Sequence, residues 1–258
     1  MSAGSVQLRI EGGIASVLFD RPEARNAMTW AMYAQLGEIC DRLRTEASVR
    51  LVTFRGAGGE AFVAGTDIEQ FKAFKTGAEG VAYEVKIEQC LEKLETLPMP
   101  TVAIIEGWTI GGGLAIATAC DFRIATPASR FGVPIAKTLG NCLSAANLAR
   151  LIAVFGTPRV KRMLMLAEIL SADEALAAGF LLQVIPGAEL DAAVATLCTR
   201  IASLASVTQS VTKESLRRLR SQNLPDDEDL IRQCYGSSDF HEGVEAFVAK
   251  RPPLWKGV

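Results

Sequence analysis

Glu106-Gly107-Trp108-Thr109-Ile110-Gly111-Gly112-Gly113-Leu114-Ala115 is the stretch on which the reading of the fold turns. Immediately upstream, Thr101 to Ile105 is a continuous apolar run suited to a strand buried on both faces, and Pro98 and Pro100 stop the helical pattern before it. Immediately downstream, the triple glycine leads into Leu114 to Cys120, and Phe122 to Ala125 reads as another short strand. Strands alternating with helices imply an α/β architecture.

Working outward toward the N-terminus, Tyr83 to Leu97 is amphipathic, with Ile87, Leu91 and Leu94 in register. Asp67 opens a helical sequence, Gly56 to Phe62 is a glycine-rich loop, and Arg50 to Phe54 is strand-like. Thr29 can cap a helix carrying Met32, Leu36, Ile39, Cys40 and Leu43 on one face. Val6, Leu8 and Ile10 alternate with polar positions, Glu11-Gly12-Gly13 punctuates, and Ile14 to Phe19 resumes, which reads as a hairpin. Toward the C-terminus the pattern turns helical after Ser171, through Leu190 to Leu204 and Val211 to Leu219, with no convincing strand after Leu182 to Ile185. The expectation is a core over 1–195 and a helical region over 196–258.

Composition narrows the function classes. The 258 residues carry 27 Lys+Arg against 29 Asp+Glu, a formal charge of -2, with 49% hydrophobic residues and one histidine. That is a globular chain with enough apolar content for a sizeable core. No overall field draws nucleic acid or an anionic membrane, so an anionic ligand has to be met by a local patch. The N-terminus meets Arg9 and Glu11 before any apolar stretch long enough for a signal peptide, and the longest uncharged run in the middle, Gly107 to Cys120, is too short to span a membrane. A cytoplasmic protein is expected. The six cysteines, Cys40, Cys90, Cys120, Cys142, Cys198 and Cys234, form no close pair in sequence and read as buried thiols. Neither a phosphate-loop motif nor a GxSxG elbow occurs. The one histidine, His241, reads as a surface helix-start residue, and no metal site is expected.

Two segments then stand out: Phe62-Val63-Ala64-Gly65-Thr66-Asp67-Ile68, and the triple-glycine stretch. Each puts small residues in a loop just before helical sequence, where backbone N–H groups lack intrahelical partners and the helix dipole favours negative charge. Two such donors converging would bind an oxyanion.

Together with Arg21-Pro22-Glu23-Ala24-Arg25-Asn26-Ala27-Met28, Ala119-Cys120-Asp121-Phe122-Arg123 and Phe131-Gly132-Val133-Pro134, these segments resemble the enoyl-CoA hydratase/isomerase (crotonase) superfamily, in order and spacing from residue 6 to Arg251-Pro252-Pro253. The resemblance implies a spiral of ββα turns with a C-terminal helical region mediating a homotrimer or a dimer of trimers. It implies an acyl-CoA thioester as ligand, with coenzyme A part of the substrate and no separate cofactor. The backbone N–H groups of Thr66 and Gly112 would be the oxyanion donors, each worth roughly 2.7–4 kcal/mol by analogy with other enzymes. CoA would run along Ala24, Arg25 and Ala27 and along Ala64, Asp67 and Ile68. Lys250 and Lys256 could meet its phosphates or be solvated, and Asp121 would be a structural brace.

The chain departs from the family pattern at one decisive point. Typical hydratases of the family use two glutamates, one shortly after the triple glycine and one after the FGxP element. Here those positions read Ala115 and Ile135, or Ala136 if the register slips by a residue. No alignment is needed for the stronger statement: between Glu106 and Glu168 the one acidic residue is Asp121. The usual carboxylate pair cannot be built from these segments. Lys137 could pair with an anionic acyl group or be solvated. Asn141 could orient water or substrate without moving a proton. Cys142 is better read as a small buried hydrophobe than as a nucleophile. Glu84, on the helix with Tyr83 and Lys86, is the carboxylate that could be recruited from elsewhere, or a charge on an exposed face.

Two function classes follow. The first is an acyl-CoA enzyme working through an oxyanion-stabilised enolate, with decarboxylation, isomerisation or thioester hydrolysis demanding less of the missing glutamates than hydration does. The second is an acyl-CoA binding protein without turnover. RNA binding is disfavoured by the charge balance.

Overall fold

The computed structural model describes residues 4–257. It opens with the expected hairpin, β1 (Ser5–Glu11) antiparallel to β2 (Ile14–Asp20) across Gly12 and Gly13. Helix α1 (Trp30–Arg44) begins where the Thr29 hydroxyl accepts the Met32 N–H, and it buries Met32, Leu36, Cys40 and Leu43 on one face.

From there the chain repeats one move. Strands β3 (Leu51–Gly56) and β4 (Ala61–Ala64) precede a 3-10 helix (Ile68–Ala73) and α2 (Gly77–Glu95). Strands β5 (Thr101–Ile105) and β6 (Trp108–Ile110) precede α3 (Gly112–Ala119). Strands β7 (Phe122–Ala125) and β8 (Arg130–Gly132) precede α4 (Ile135–Thr138) and α5 (Ala145–Met165). The first strand of each pair enters one sheet and the second enters another. With β9 (Leu170–Ser171), α6 (Ala172–Ala177) and β10 (Gln183–Val184), this gives a six-stranded sheet β1-β2-β3-β5-β7-β10 and a four-stranded sheet β4-β6-β8-β9. Pairing is parallel except at β1–β2 and β8–β9, the arrangement of a ββα spiral.

Strand β5 shows why a continuous apolar run is needed at the centre. Ala103 and Ile105 join the main core, while Val102 and Ile104 pack with Leu51 and Ile124 against Leu190, Cys198 and Ile201 of α7 (Leu190–Ala202). The turn from β5 to β6 needs Gly107, whose φ is +66° and whose Cβ would stand 1.8 Å from the Glu60 carbonyl oxygen.

Several expectations are corrected. Phe62 to Ala64 and Trp108 to Ile110, read as loop, are the strands β4 and β6 of the second sheet, with Phe131 and Gly132 in β8. Strands of three or four residues are too short to show a two-residue period. Asp67 does cap a helix, its carboxylate accepting from the Glu69 N–H, but the helix is 3-10. Helix α7 lies within the helical stretch read over Leu190 to Leu204.

The remaining helices are α8 (Ser206–Ser221), α9 (Glu228–Tyr235) and α10 (Ser238–Val248). The last two fold back on the spiral, where Ile231, Tyr235, Phe240 and Val244 form a cluster with Phe71 and Leu139. No single helix among the described residues is long and apolar enough to cross a membrane.

Candidate active site

Two loops that the sequence reading singles out meet. Gly111, at φ +54°, turns the chain so that its N–H bonds to Gly132 of β8 and its carbonyl receives the Ala115 N–H, starting α3. Gly113 sits against β4, where a Cβ would lie 1.9 Å from the Val63 carbonyl oxygen. A Cβ on Gly112 would stand 3.0 Å from the Thr66 hydroxyl and 2.4 Å from that of Tyr33, so the two loops touch.

Thr66 is fixed by a parallel bridge in which Met28 N–H donates to Gly65 and Asp67 N–H donates to Met28, turning the Thr66 N–H to the other side. Neither that N–H nor the N–H of Gly112, in the first turn of α3, has a backbone acceptor among the described residues. Both residues line a cavity of about 150 Å³. The Thr66 hydroxyl is itself engaged with Tyr33 Oη at 2.9 Å and Tyr83 Oη at 3.4 Å.

The walls are largely apolar and come from every turn of the spiral, with Phe71, Ile87, Val133, Leu143 and Leu151 among them. Ala115 and Ile135, the positions where the resemblance implies glutamates, both face this cavity, while Ala136 is exposed, so a slipped register brings no carboxylate. Among the described residues the one carboxylate in the lining is Glu84 of α2, and it is 3% exposed. Ser144 N–H donates to its Oε2 at 3.1 Å and Tyr235 Oη–H donates to its Oε1 at 2.8 Å. Burial pushes the Glu84 carboxyl up to about 7, against the pull of those two hydrogen bonds.

Arg150 also reaches the lining. Its five N–H groups are occupied by Glu88, Glu95 and the Asn147 side chain, so it offers no unpaired charge.

The other candidates divide. Asn141 lines the cavity and its Nδ2 donates to Tyr235 Oη at 3.3 Å. Lys137 does not line it and is exposed on α4. Cys142 is partly buried, and its hydrogen bond with the Cys234 thiol and its burial hold it above the ordinary thiol range, as expected of an inert cysteine.

Ala24, Arg25 and Ala27 are laid beside Ala64, Asp67 and Ile68 by the bond from Ala64 N–H to Arg25 and the bridge at Met28. Asp67 forms an ion pair with Arg21 at 2.9 Å. Lys250 and Lys256 are exposed on the C-terminal segment, where the Lys256 N–H donates to Asp239. Asp121 braces the fold, accepting from Thr101 N–H and Oγ1 and pairing with Lys213 at 2.7 Å. His241 lies in the first turn of α10, outside the cavity lining.

Sequence reasoning missed Tyr235, Arg150 and Phe247. Tyr235 reaches Glu84 across 151 positions, and no local pattern marks such a contact.

The sequence model of the enoyl-CoA hydratase/isomerase family matches residues 9–258. The chain belongs to this family. Its relatives include a short-chain-enoyl-CoA hydratase of Clostridium acetobutylicum, 29% identical over 97% of each chain. Among solved structures, an enoyl-CoA hydratase/carnithine racemase from Magnetospirillum magneticum is 32% identical, with TM-score 0.80, over 100% of this chain and 97% of the other. A methylmalonyl-CoA decarboxylase in complex with 2-nitronate-propionyl-CoA is 25% identical over 98% of each chain, with TM-score 0.89. Proteins named as a hydratase and as a decarboxylase thus share this chain's fold, and the reaction has to be argued from the site.

Proposed function

We propose that this family member binds an acyl-CoA thioester and shifts its double bond by a single-carboxylate proton transfer. The N–H groups of Thr66 and Gly112 receive the thioester carbonyl oxygen. Glu84 takes the α-proton, and the electron pair of the broken C–H bond passes into the enolate. The same carboxyl returns the proton at the γ-carbon as the double bond moves into conjugation with the carbonyl. One group suffices because the proton that leaves is the proton that returns, whereas hydration also calls for activation of a water.

The observation that carries this reading is the lining itself: Ala115 and Ile135 where a pair of glutamates is expected, and one buried carboxylate, Glu84, titrating near 7. CoA would follow the strip from Ala24 to Ala27 and from Ala64 to Ile68. A homotrimer or a dimer of trimers belongs to the same proposal, supported by α8, which buries none of its residues and exposes Val207, Val211, Leu216 and Leu219.

The likeness to the decarboxylase supports a second reading, loss of carbon dioxide from a malonyl-type thioester with the enolate protonated by Glu84 in its acid form. The test is incubation with vinylacetyl-CoA, methylmalonyl-CoA and crotonyl-CoA in deuterated water, with products read by mass spectrometry. Crotonyl-CoA formed from vinylacetyl-CoA is the expected product, lost by about 100-fold or more in Glu84→Gln. Activity as a base requires the ionised carboxylate, so kcat/KM should climb with pH through about 7 and then level. A rate falling through the same pH with propionyl-CoA as product would favour decarboxylation. Tight binding with no turnover or exchange would leave a binding protein.

A further inference from the structure

Glu84 is held from two sides by residues far from it in sequence, and one of them comes from the C-terminal helices. Tyr235 ends α9 and is 0% exposed. Its ring occupies a slot that Gly80 leaves on α2, one turn before Glu84: a Cβ there would stand 2.1 Å from the Tyr235 ring carbon Cγ. Phe240 and Tyr83 close around it, with ring centres 4.8 and 6.0 Å away. The phenol oxygen accepts from Asn141 Nδ2 at 3.3 Å and donates to Glu84 Oε1 at 2.8 Å. With Asn141 donating in, the phenol proton is directed at Glu84, so the chain from Asn141 through Tyr235 to Glu84 has a fixed polarity.

We infer that Tyr235 is a positioning residue for the Glu84 carboxylate, its hydroxyl holding that carboxylate as a proton acceptor at the cavity wall while Asn141 fixes the hydroxyl's direction. The inference rests on Glu84 being the proton-transfer group. It makes the C-terminal region part of the chemistry, because α9 supplies a donor to a carboxylate on α2.

The sign of the effect follows from the hydrogen bond. Burial raises the Glu84 carboxyl, and the bond from Tyr235 opposes that rise by favouring the ionised form. Removing the phenol proton therefore moves the acid limb of the rate profile upward. The other titratable groups that bear on Glu84 are Asp227 at the head of α9, the phenols of Tyr33 and Tyr83, and the thiols of Cys142 and Cys234. Burial raises both phenols, and the Cys142 thiol is also raised, while the Cys234 thiol, hydrogen-bonded to Cys142, is drawn down. Cys234→Ala is therefore the control for the limb's identity.

The experiment is the pH dependence of kcat and KM for vinylacetyl-CoA isomerisation in the full chain and its variants. Tyr235→Phe should lower kcat about tenfold, leave KM within about twofold, and raise the acid limb by about one pH unit. A limb that stays in place, whatever kcat does, would overturn the inference, since a merely structural role lowers activity without retuning the carboxylate. Fluorotyrosine at position 235 keeps the ring and strengthens the donor, so it should move the limb down. If Tyr235→Phe does not fold, that variant decides alone, and an unmoved limb counts against the inference. A limb that vanishes in Cys234→Ala would assign it to the thiol and overturn the inference as well. Full activity in Glu84→Gln sinks the functional reading itself, whereas lost activity there with an unmoved Tyr235→Phe limb sinks the role of Tyr235 alone.

Discussion

A carboxyl group that ordinarily titrates well below neutral pH is pushed up to about 7 in this protein by its burial. Glu84 sits among Ile87, Leu143 and Leu151 with two hydrogen-bond donors, fewer than full hydration would give it. The same raised value is a statement about stability. The folded-state value of about 7 lies above the ordinary 4.5, so the folded state holds this proton more tightly than the unfolded chain does, and Glu84 costs stability as pH rises between those values. Glu84→Gln removes that cost while keeping an acceptor for Tyr235. Its stability relative to the parent should improve by about 3 kcal/mol from below pH 4.5 to above pH 7, measured by urea unfolding of both proteins across that range. A difference that does not change with pH would mean that folding leaves the Glu84 carboxyl at its ordinary value.

At the scale of an element, α3 is short and starts where it does because β4 leaves it no room to start otherwise. Gly113 lets the helix backbone lie on β4, and that contact sets where the Gly112 N–H falls relative to Thr66. Gly113→Ala places a methyl within the radius of the Val63 carbonyl oxygen, a backbone atom that cannot rotate away. Destabilisation of about 3 kcal/mol is expected, seen as a lowered Tm, together with a fall in kcat larger than any change in KM. An unchanged Tm would show that α3 can shift, and with it the spacing of the two N–H groups.

At the scale of the whole molecule, the spiral and the C-terminal helices are joined by a buried ion network. Arg150 of α5 is 3% exposed and pairs with Glu88 and Glu95 of α2, and Glu95 also receives Arg220 of α8. Burial alone would raise the Glu95 carboxyl, but the hydrogen bonds and charges of Arg220 and Arg150 outweigh it and hold the group below its usual range. Its contribution is therefore present above the ordinary carboxylate value and is lost as pH falls below it. Glu95→Ala leaves Arg150 partly unpaired in the interior and should cost about 3 kcal/mol at neutral pH, with the deficit shrinking in acid. Equal stability at neutral pH would mean that Glu88 alone satisfies Arg150.

The sequence by itself determined the hairpin, the α/β alternation, the cap at Thr29, the doubly buried β5 and the two glycine-bearing loops, because each is written in neighbouring residues as a period, a cap or a break. It also determined that Asp121 is the one acidic residue between Glu106 and Glu168, which can be read without coordinates. Only the tertiary structure decided the second sheet, whose strands β4, β6 and β8 are too short to show a period and exist through pairing with one another. Only the tertiary structure separated Glu84 from Lys137. Both are charged residues on helices, but Glu84 faces a cavity and is held by Tyr235 from 151 positions away, while Lys137 faces solvent. Burial and long-range hydrogen bonds are properties of the assembled chain, and they turn one carboxylate among many into a group that titrates near 7.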